Sequence, residues 1–105
     1  MAQKPESRLQ SKIQKELGKA FPGSFFYKTH GNPYQRAGIP DIIGCVNGCF
    51  IGVEVKLPGK ENTLTELQKD SIKRINEAGG LAFMSTSVEY TVETIKAFFE
   101  DGKRP

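Results

Sequence analysis

At 105 residues, with 37% apolar and 10% aromatic side chains, the chain suits one hydrophobic core and is too short for two. Seven Phe and three Tyr exclude a disordered tail, and no apolar run approaches the roughly 20 residues that span a bilayer. Fifteen Lys and Arg against twelve Asp and Glu give a net charge of +3, which permits a nucleic-acid partner without demanding one.

The opening residues Met1-Ala2-Gln3-Lys4-Pro5 lack the apolar stretch of a signal peptide, so a cytoplasmic location is expected. A first helix is predicted from about Pro5 to Ala20. Proline suits an early helical position, and Leu9, Ile13 and Leu17 recur every four residues as one apolar stripe. Phe21-Pro22-Gly23 ends it, and Ser24–Thr29 reads as a first strand from its aromatic content. After a polar loop, His30–Gly38, come two β-rich runs, Ile39–Val46 and Cys49–Lys56. They are separated by Asn47-Gly48, the signature of a two-residue type I′ hairpin turn. Both runs are apolar on both faces, as expected of central strands covered by helices.

Thr63 followed by Glu66 predicts a capping box opening a second helix, with Leu64, Leu67 and Ile75 on its buried face and Gly79-Gly80 as its stop. Leu81–Ser85 is a short fourth strand. Ser87 then caps a last helix through Phe99, with Val92, Ile95, Phe98 and Phe99 as its apolar side. Phe98 and Phe99 are adjacent and cannot share one narrow face; they fit either a wide core face or a contact surface. The order α-β-β-β-α-β-α describes a small single-domain α/β fold. In it the second helix and fourth strand pack back as a crossover onto the hairpin, giving a central mixed sheet flanked by helices.

The hairpin carries the chemistry. With a two-residue turn, Val46 faces Cys49, and the same register carried outward sets Asp41 across from Glu54. Their Cβ atoms would lie about 5 Å apart on one face, with Lys56 pointing to that face as well. Facing like charges destabilise a sheet. A divalent cation removes the repulsion, and an all-oxygen set suits Mg²⁺ or Mn²⁺ rather than zinc. The competing account leaves Asp41 in a turn and Glu54 paired only with Lys56, all solvated. On the first helix, Glu6 projects within roughly 20° of the centre of the Leu9-Ile13-Leu17 stripe and Glu16 about 60° from it. Glu6 is the candidate third acid and Glu16 the alternative; a frayed first turn would instead leave Glu6 in solvent. Gln68 falls on the predicted buried face of the second helix, either reaching the acids or bonded to backbone at the edge of the core.

Lys28, His30, Asn32, Gln35 and Arg36 cluster around the loop before Asp41, and Lys60 follows the hairpin. DNA phosphate contacts and a plain solvated loop both account for this mixture. The single His has no partner at zinc-ligand spacing. Cys45 and Cys49 fall on opposite faces of the hairpin, which predicts free buried thiols rather than a disulfide.

Gly38-Ile39-Pro40-Asp41, Glu54-Val55-Lys56 and Gln68 resemble the motifs of the PD-(D/E)XK nucleases. Within them, the chain is similar to the small stand-alone VRR-NUC domains of bacteriophages and bacteria, over about Glu6 to Phe99. The resemblance implies a restriction-endonuclease-like core in which Asp41, Glu54 and the Val55 carbonyl bind Mg²⁺ or Mn²⁺. It also implies that Lys56 is the catalytic lysine, that Glu6 is the helix-borne glutamate and that Gln68 is the motif glutamine. The activity implied is structure-selective DNA cleavage, of Holliday junctions or other branched DNA, by a homodimer inside a bacterial or phage-infected cell. A non-specific duplex or single-strand DNase and a non-catalytic DNA-binding module are the alternatives.

Overall fold

The computed structural model describes residues 4–29 and 35–101. Three helices, α1 (Pro5–Ala20), α2 (Glu66–Glu77) and α3 (Val88–Glu100), surround four strands: β1 (Phe25–Lys28), β2 (Ile42–Val46), β3 (Cys49–Val55) and β4 (Leu81–Ser85). A short 3-10 turn, Glu61–Thr63, precedes α2. The strands lie in the order β1-β2-β3-β4; the first three are antiparallel, and β4 runs parallel to β3. The element order is the one the sequence predicts, and the sheet is mixed because only a helical crossover can bring β4 alongside β3 in the same direction. Among the described residues no helix is long and apolar enough to cross a membrane.

Asn47 (φ 50°) and Gly48 (φ 79°) both take positive φ, as a type I′ turn requires, and Val46 faces Cys49 as the two-residue loop dictates. Alternation along the strands then sorts the side chains. Ile42 and Val46 of β2, with Cys49, Ile51, Val53 and Val55 of β3, are buried against Ile13 and Leu17 of α1 and Ile95 of α3. Each such aliphatic side chain stabilises the fold by roughly 1.5–3 kcal/mol. The opposite face carries Phe50, Gly52 and Glu54 of β3, and α2 lies over it: a Cβ on Gly52 would stand 3.3 Å from the Ile75 side chain.

Four expectations need correction. The capping box is Thr65 with Gln68, not Thr63 with Glu66; the Thr63 hydroxyl instead bonds the Lys60 carbonyl and closes the 3-10 turn. Helix α2 therefore starts later, which turns Leu67 out to solvent and leaves Ser71 as its buried residue, with Ile72 and Ile75 half-buried. The hairpin is also not covered on both faces. Helix α2 sits over β3 and β4 only, so Phe25, Cys45 and Phe50, which are cross-strand neighbours, are all exposed. Cys45 is thus a free exposed thiol, and only Cys49 is buried. Phe98 and Phe99, by contrast, pack against the core with their rings edge to face, so that side of α3 is a wide core face.

Gly44 shows how tightly β1 lies on β2. A Cβ there would meet the Phe25 carbonyl oxygen at 2.2 Å and the Phe26 ring at 2.5 Å. Gly44→Ala is expected to lower stability by about 1–3 kcal/mol, measured as a drop in the midpoint of thermal unfolding followed by circular dichroism.

Candidate active site

Asp41 lies one residue before β2, where the ladder has just ended at Ile42 opposite Val53. The ladder stops short of the Asp41–Glu54 pair because the side chain of Asp41 replaces a main-chain bond: its Oδ2 accepts the Val55 N–H at 2.9 Å. Its backbone is held from the other side. Thr29 N–H donates to the Asp41 carbonyl at 2.8 Å, and the Thr29 hydroxyl donates to the Pro40 carbonyl at 2.9 Å. Gly38 (φ 88°) makes the approach to this segment possible; a Cβ there would strike the Leu67 carbonyl of α2 at 2.6 Å.

Glu54 stands inside β3 with only 2% of its surface exposed. Its Oε2 accepts from the Gln68 side-chain amide at 3.0 Å and lies 3.8 Å from the Lys56 ammonium, itself 11% exposed. Among the described residues no donor reaches its buried Oε1. A buried ionised oxygen with no donor is costly, and the molecule shows the consequence. Burial first, then the charge of Asp41 and a side-chain hydrogen bond with it, push the Glu54 carboxyl up from 4.5 to about 8; Lys56 acts in the opposite direction, and the charge of Glu6 adds to the rise.

Glu6 is therefore electrically part of this cluster. Its turn of α1 is pinned to β1 by Lys28, whose ammonium donates to the hydroxyls of Ser7 at 2.9 Å and Ser11 at 3.1 Å and to the Ser7 carbonyl at 3.3 Å. Glu16 lies nearly three turns beyond Glu6 and pairs with Lys19 at 3.6 Å. Of the two helix-borne acids, Glu6 is the one whose field reaches Glu54.

Asp41, Glu54 with Lys56, Gln68 and Glu6 thus come from four separate stretches of chain to one end of the sheet. The predicted DNA contacts divide. Lys28 is taken up by α1 and is not a free phosphate ligand, because three serine oxygens already surround its ammonium. Gln35 and Arg36 line a cleft of about 440 Å³ together with Thr29, Gly38 and Asp41. Lys60 is exposed in the loop after β3. His30 and Asn32 lie outside the described residues. Thr65 was not among the sequence candidates, although its Thr-x-x-Gln spacing to Gln68 is legible once the box is moved two residues along.

Among the described residues no three His, Cys, Asp or Glu side chains form a ready-made metal cage. The set that fits a hard cation is the Asp41 and Glu54 carboxylates: two acids in mutual repulsion, one with a buried oxygen lacking any donor. An all-oxygen pair of this kind suits Mg²⁺ or Mn²⁺ chemistry.

No family model matches the sequence, and no curated protein matches it. Solved structures do. The fold is similar to a VRR-NUC domain protein at a TM-score of 0.65 and 17% identity, over 90% of this chain and 88% of that one. It is also similar to a second VRR-NUC domain at a TM-score of 0.62 and 28% identity, over 87% of this chain and 94% of that one.

The raised pKa of Glu54 fixes the sign of a pH effect in the metal-free protein. A carboxyl that holds its proton more tightly when folded adds stability below about 4.5, and that contribution is lost as pH rises through about 8. The unfolding midpoint in a chelator is expected to fall between about pH 5 and pH 9, and Glu54→Gln to flatten that fall. An equally steep decline in the variant would place its origin elsewhere.

Proposed function

We propose that this chain, a VRR-NUC domain by its fold and its likeness to two solved domains of that name, is a metal-dependent endonuclease that hydrolyses DNA phosphodiester bonds. The observation that carries this reading is the buried, donorless Oε1 of Glu54 beside Asp41, with Lys56 within 3.8 Å of the same carboxylate. Such a cluster destabilises an apo sheet and becomes favourable when a cation sits among the acids.

Asp41, Glu54 and the Val55 carbonyl would hold Mg²⁺ or Mn²⁺. When bound, the ion supplies Lewis-acid stabilisation of charge on phosphate oxygens and lowers the pKa of water. The remaining work falls to the chain. Asp41 keeps its orientation through the Val55 N–H, so one carboxylate oxygen is fixed and the other is available. Lys56, nearly buried, brings a positive charge to the anionic reaction centre, where low exposure strengthens its field. Gln68 holds Glu54 against rotation, and Glu6 closes the acidic side from α1. Arg36 and Gln35 line the adjoining cleft, where they meet the phosphates that flank the cut.

The substrate class is branched DNA, Holliday junctions included, and the working unit is a homodimer. The described helices all pack on the sheet and none stands apart as a reader of base sequence. Shape rather than sequence is what such a surface can select. Pairing of two copies is supported by the strip that α2 leaves open, where Phe25 (66% exposed) and Tyr27 (50%) of β1 lie across β2 from Phe50 (43%) of β3. An aromatic strip of this kind beside an unpaired edge strand favours association, and a twofold pair presents two acid clusters for paired cuts.

Two experiments test these statements. Asp41→Asn keeps an acceptor for the Val55 N–H, and Glu54→Gln keeps the shape of Glu54. Each is expected to lower cleavage of a four-way junction with Mg²⁺ or Mn²⁺ by about 100-fold or more. Undiminished cleavage by the folded variants would sink the assignment, and DNA binding without nicking under any metal would identify a binding module. A matched linear duplex cut as fast as the junction would identify a non-specific DNase. For the dimer, Phe25→Asp is expected to halve the mass measured by light scattering and to convert paired cuts into single nicks. An unchanged mass would remove the open strip from the interface.

A further inference from the structure

The Gln68 amide lies between two partners of opposite demand. Its Oε1 accepts the Thr65 backbone N–H at 2.9 Å, while its Nε2 donates to Glu54 Oε2 at 3.0 Å. A backbone N–H can only donate, so it selects the amide oxygen and turns the amide nitrogen onto Glu54. Thr65 secures this from a second direction. Its hydroxyl accepts the Gln68 N–H at 3.1 Å, which completes a reciprocal capping box and seats Gln68 at the third residue of α2. The two oxygens of Glu54 are thereby made unequal: Oε2 is bonded to Gln68 and lies near Lys56, while Oε1 receives no donor among the described residues.

We propose that Thr65 is a positioning residue for metal binding: through the capping box it fixes the Gln68 amide, which holds Oε2 of Glu54 and leaves Oε1 as the oxygen that meets the cation. The proposal rests on the reading of Asp41 and Glu54 as metal ligands. Thr65 touches neither the cation nor the substrate, and it acts by preventing the Glu54 carboxylate from rotating. The same hydrogen bonds tie the start of α2 to the middle of the metal site, so helix capping and ligand orientation become one property.

The backbone at Thr65 makes the test graded. Its φ of −79° and ψ of 164° suit proline, as does the extended conformation of Leu64 before it. Thr65→Ser keeps both halves of the box, Thr65→Ala removes the hydroxyl, and Thr65→Pro removes the hydroxyl and the N–H together. Mn²⁺ affinity of the full chain is measured by calorimetry without DNA. Ser87→Ala serves as the control, since Ser87 caps α3 through the Tyr90 N–H in the same way but away from the acids. Outer-shell partners of metal ligands typically change affinity by about 10–100-fold. Thr65→Pro is expected to weaken Mn²⁺ binding by at least about tenfold, with Thr65→Ala in between and Thr65→Ser within about twofold of the parent. Ser87→Ala is expected to lower the unfolding midpoint with Mn²⁺ affinity unchanged.

Parent-like affinity in Thr65→Pro, alongside lost binding in Asp41→Asn, would overturn the positioning role and leave the metal reading standing. Parent-like affinity in Asp41→Asn would overturn both. Should Thr65→Pro not fold, the comparison of Ala with Ser decides: weakening in Ala restored by Ser supports the role, and equal affinities reject it. A second readout is the side-chain amide resonance of Gln68 in the metal-free protein, expected to lose its hydrogen-bonded shift in Thr65→Pro, to move partway in Thr65→Ala and to keep it in Thr65→Ser.

Discussion

A carboxylate inside a β-sheet, facing a second carboxylate, is the constraint around which this molecule is arranged. Glu54 occupies a strand position that the surrounding sequence would otherwise fill with an aliphatic side chain; Val53 and Val55 on either side are fully buried. Removing a charge from water costs several kcal/mol unless hydrogen bonds and counter-charges compensate. Here Gln68 and Lys56 supply part of that compensation, at one oxygen only. The proton held up to about pH 8 is the apo protein's way of meeting the rest. The arrangement lowers the stability of the fold to keep a carboxylate at this position, a common relation between strain and function.

The rest of the scaffold serves to keep that cluster in place from several directions. β2 and β3 are joined by a two-residue turn that allows no slippage of register, and slippage by one residue would turn Glu54 into the aliphatic core. Thr29 ties the segment before β2 to the end of β1, and Lys28 ties β1 to the first turns of α1, which bear Glu6. Lys28 thereby serves the acids without facing them. Its ammonium neutralises no carboxylate; it joins three neutral oxygens of α1 and so sets where that helix begins.

The strands, the hairpin register and the three helices were legible because each is written locally. Alternation, the Asn47-Gly48 turn, the Leu9-Ile13-Leu17 spacing and the Ser87 cap each specify their element without reference to distant residues. The proximity of Glu6 and Gln68 to the acids was legible as an anomaly, polar residues on faces that should be apolar. What was not legible depended on competition or on coverage. Thr63 and Thr65 both offer a capping hydroxyl, and the choice was made by Gln68, whose side chain gains a second bond to Glu54 that Glu66 could not make as a donor. The fate of Cys45 and Phe50 depended on how far α2 extends across the sheet, a tertiary fact with no local signature. Lys28 looked like a phosphate ligand because composition cannot show that Ser7 and Ser11 lie above it.

The parallel pairing of β3 with β4 also bears on how the chain reaches this state. The β2–β3 hairpin closes a loop of two residues, whereas β4 joins β3 only after the whole crossover through α2 has been gathered in. Contacts separated by long stretches of chain form late, because their loop-closure entropy must be met before any pairing is gained. Gln68 meets Glu54, and Asp41 meets the Val55 N–H, each across 14 residues, so both clamps on the acids close shorter loops than the Ile51–Leu81 pairing does. The acids and the amide that orients Glu54 therefore need less gathered chain than the parallel edge. That edge, rather than the acid cluster, is the part of the sheet whose formation waits on distant chain.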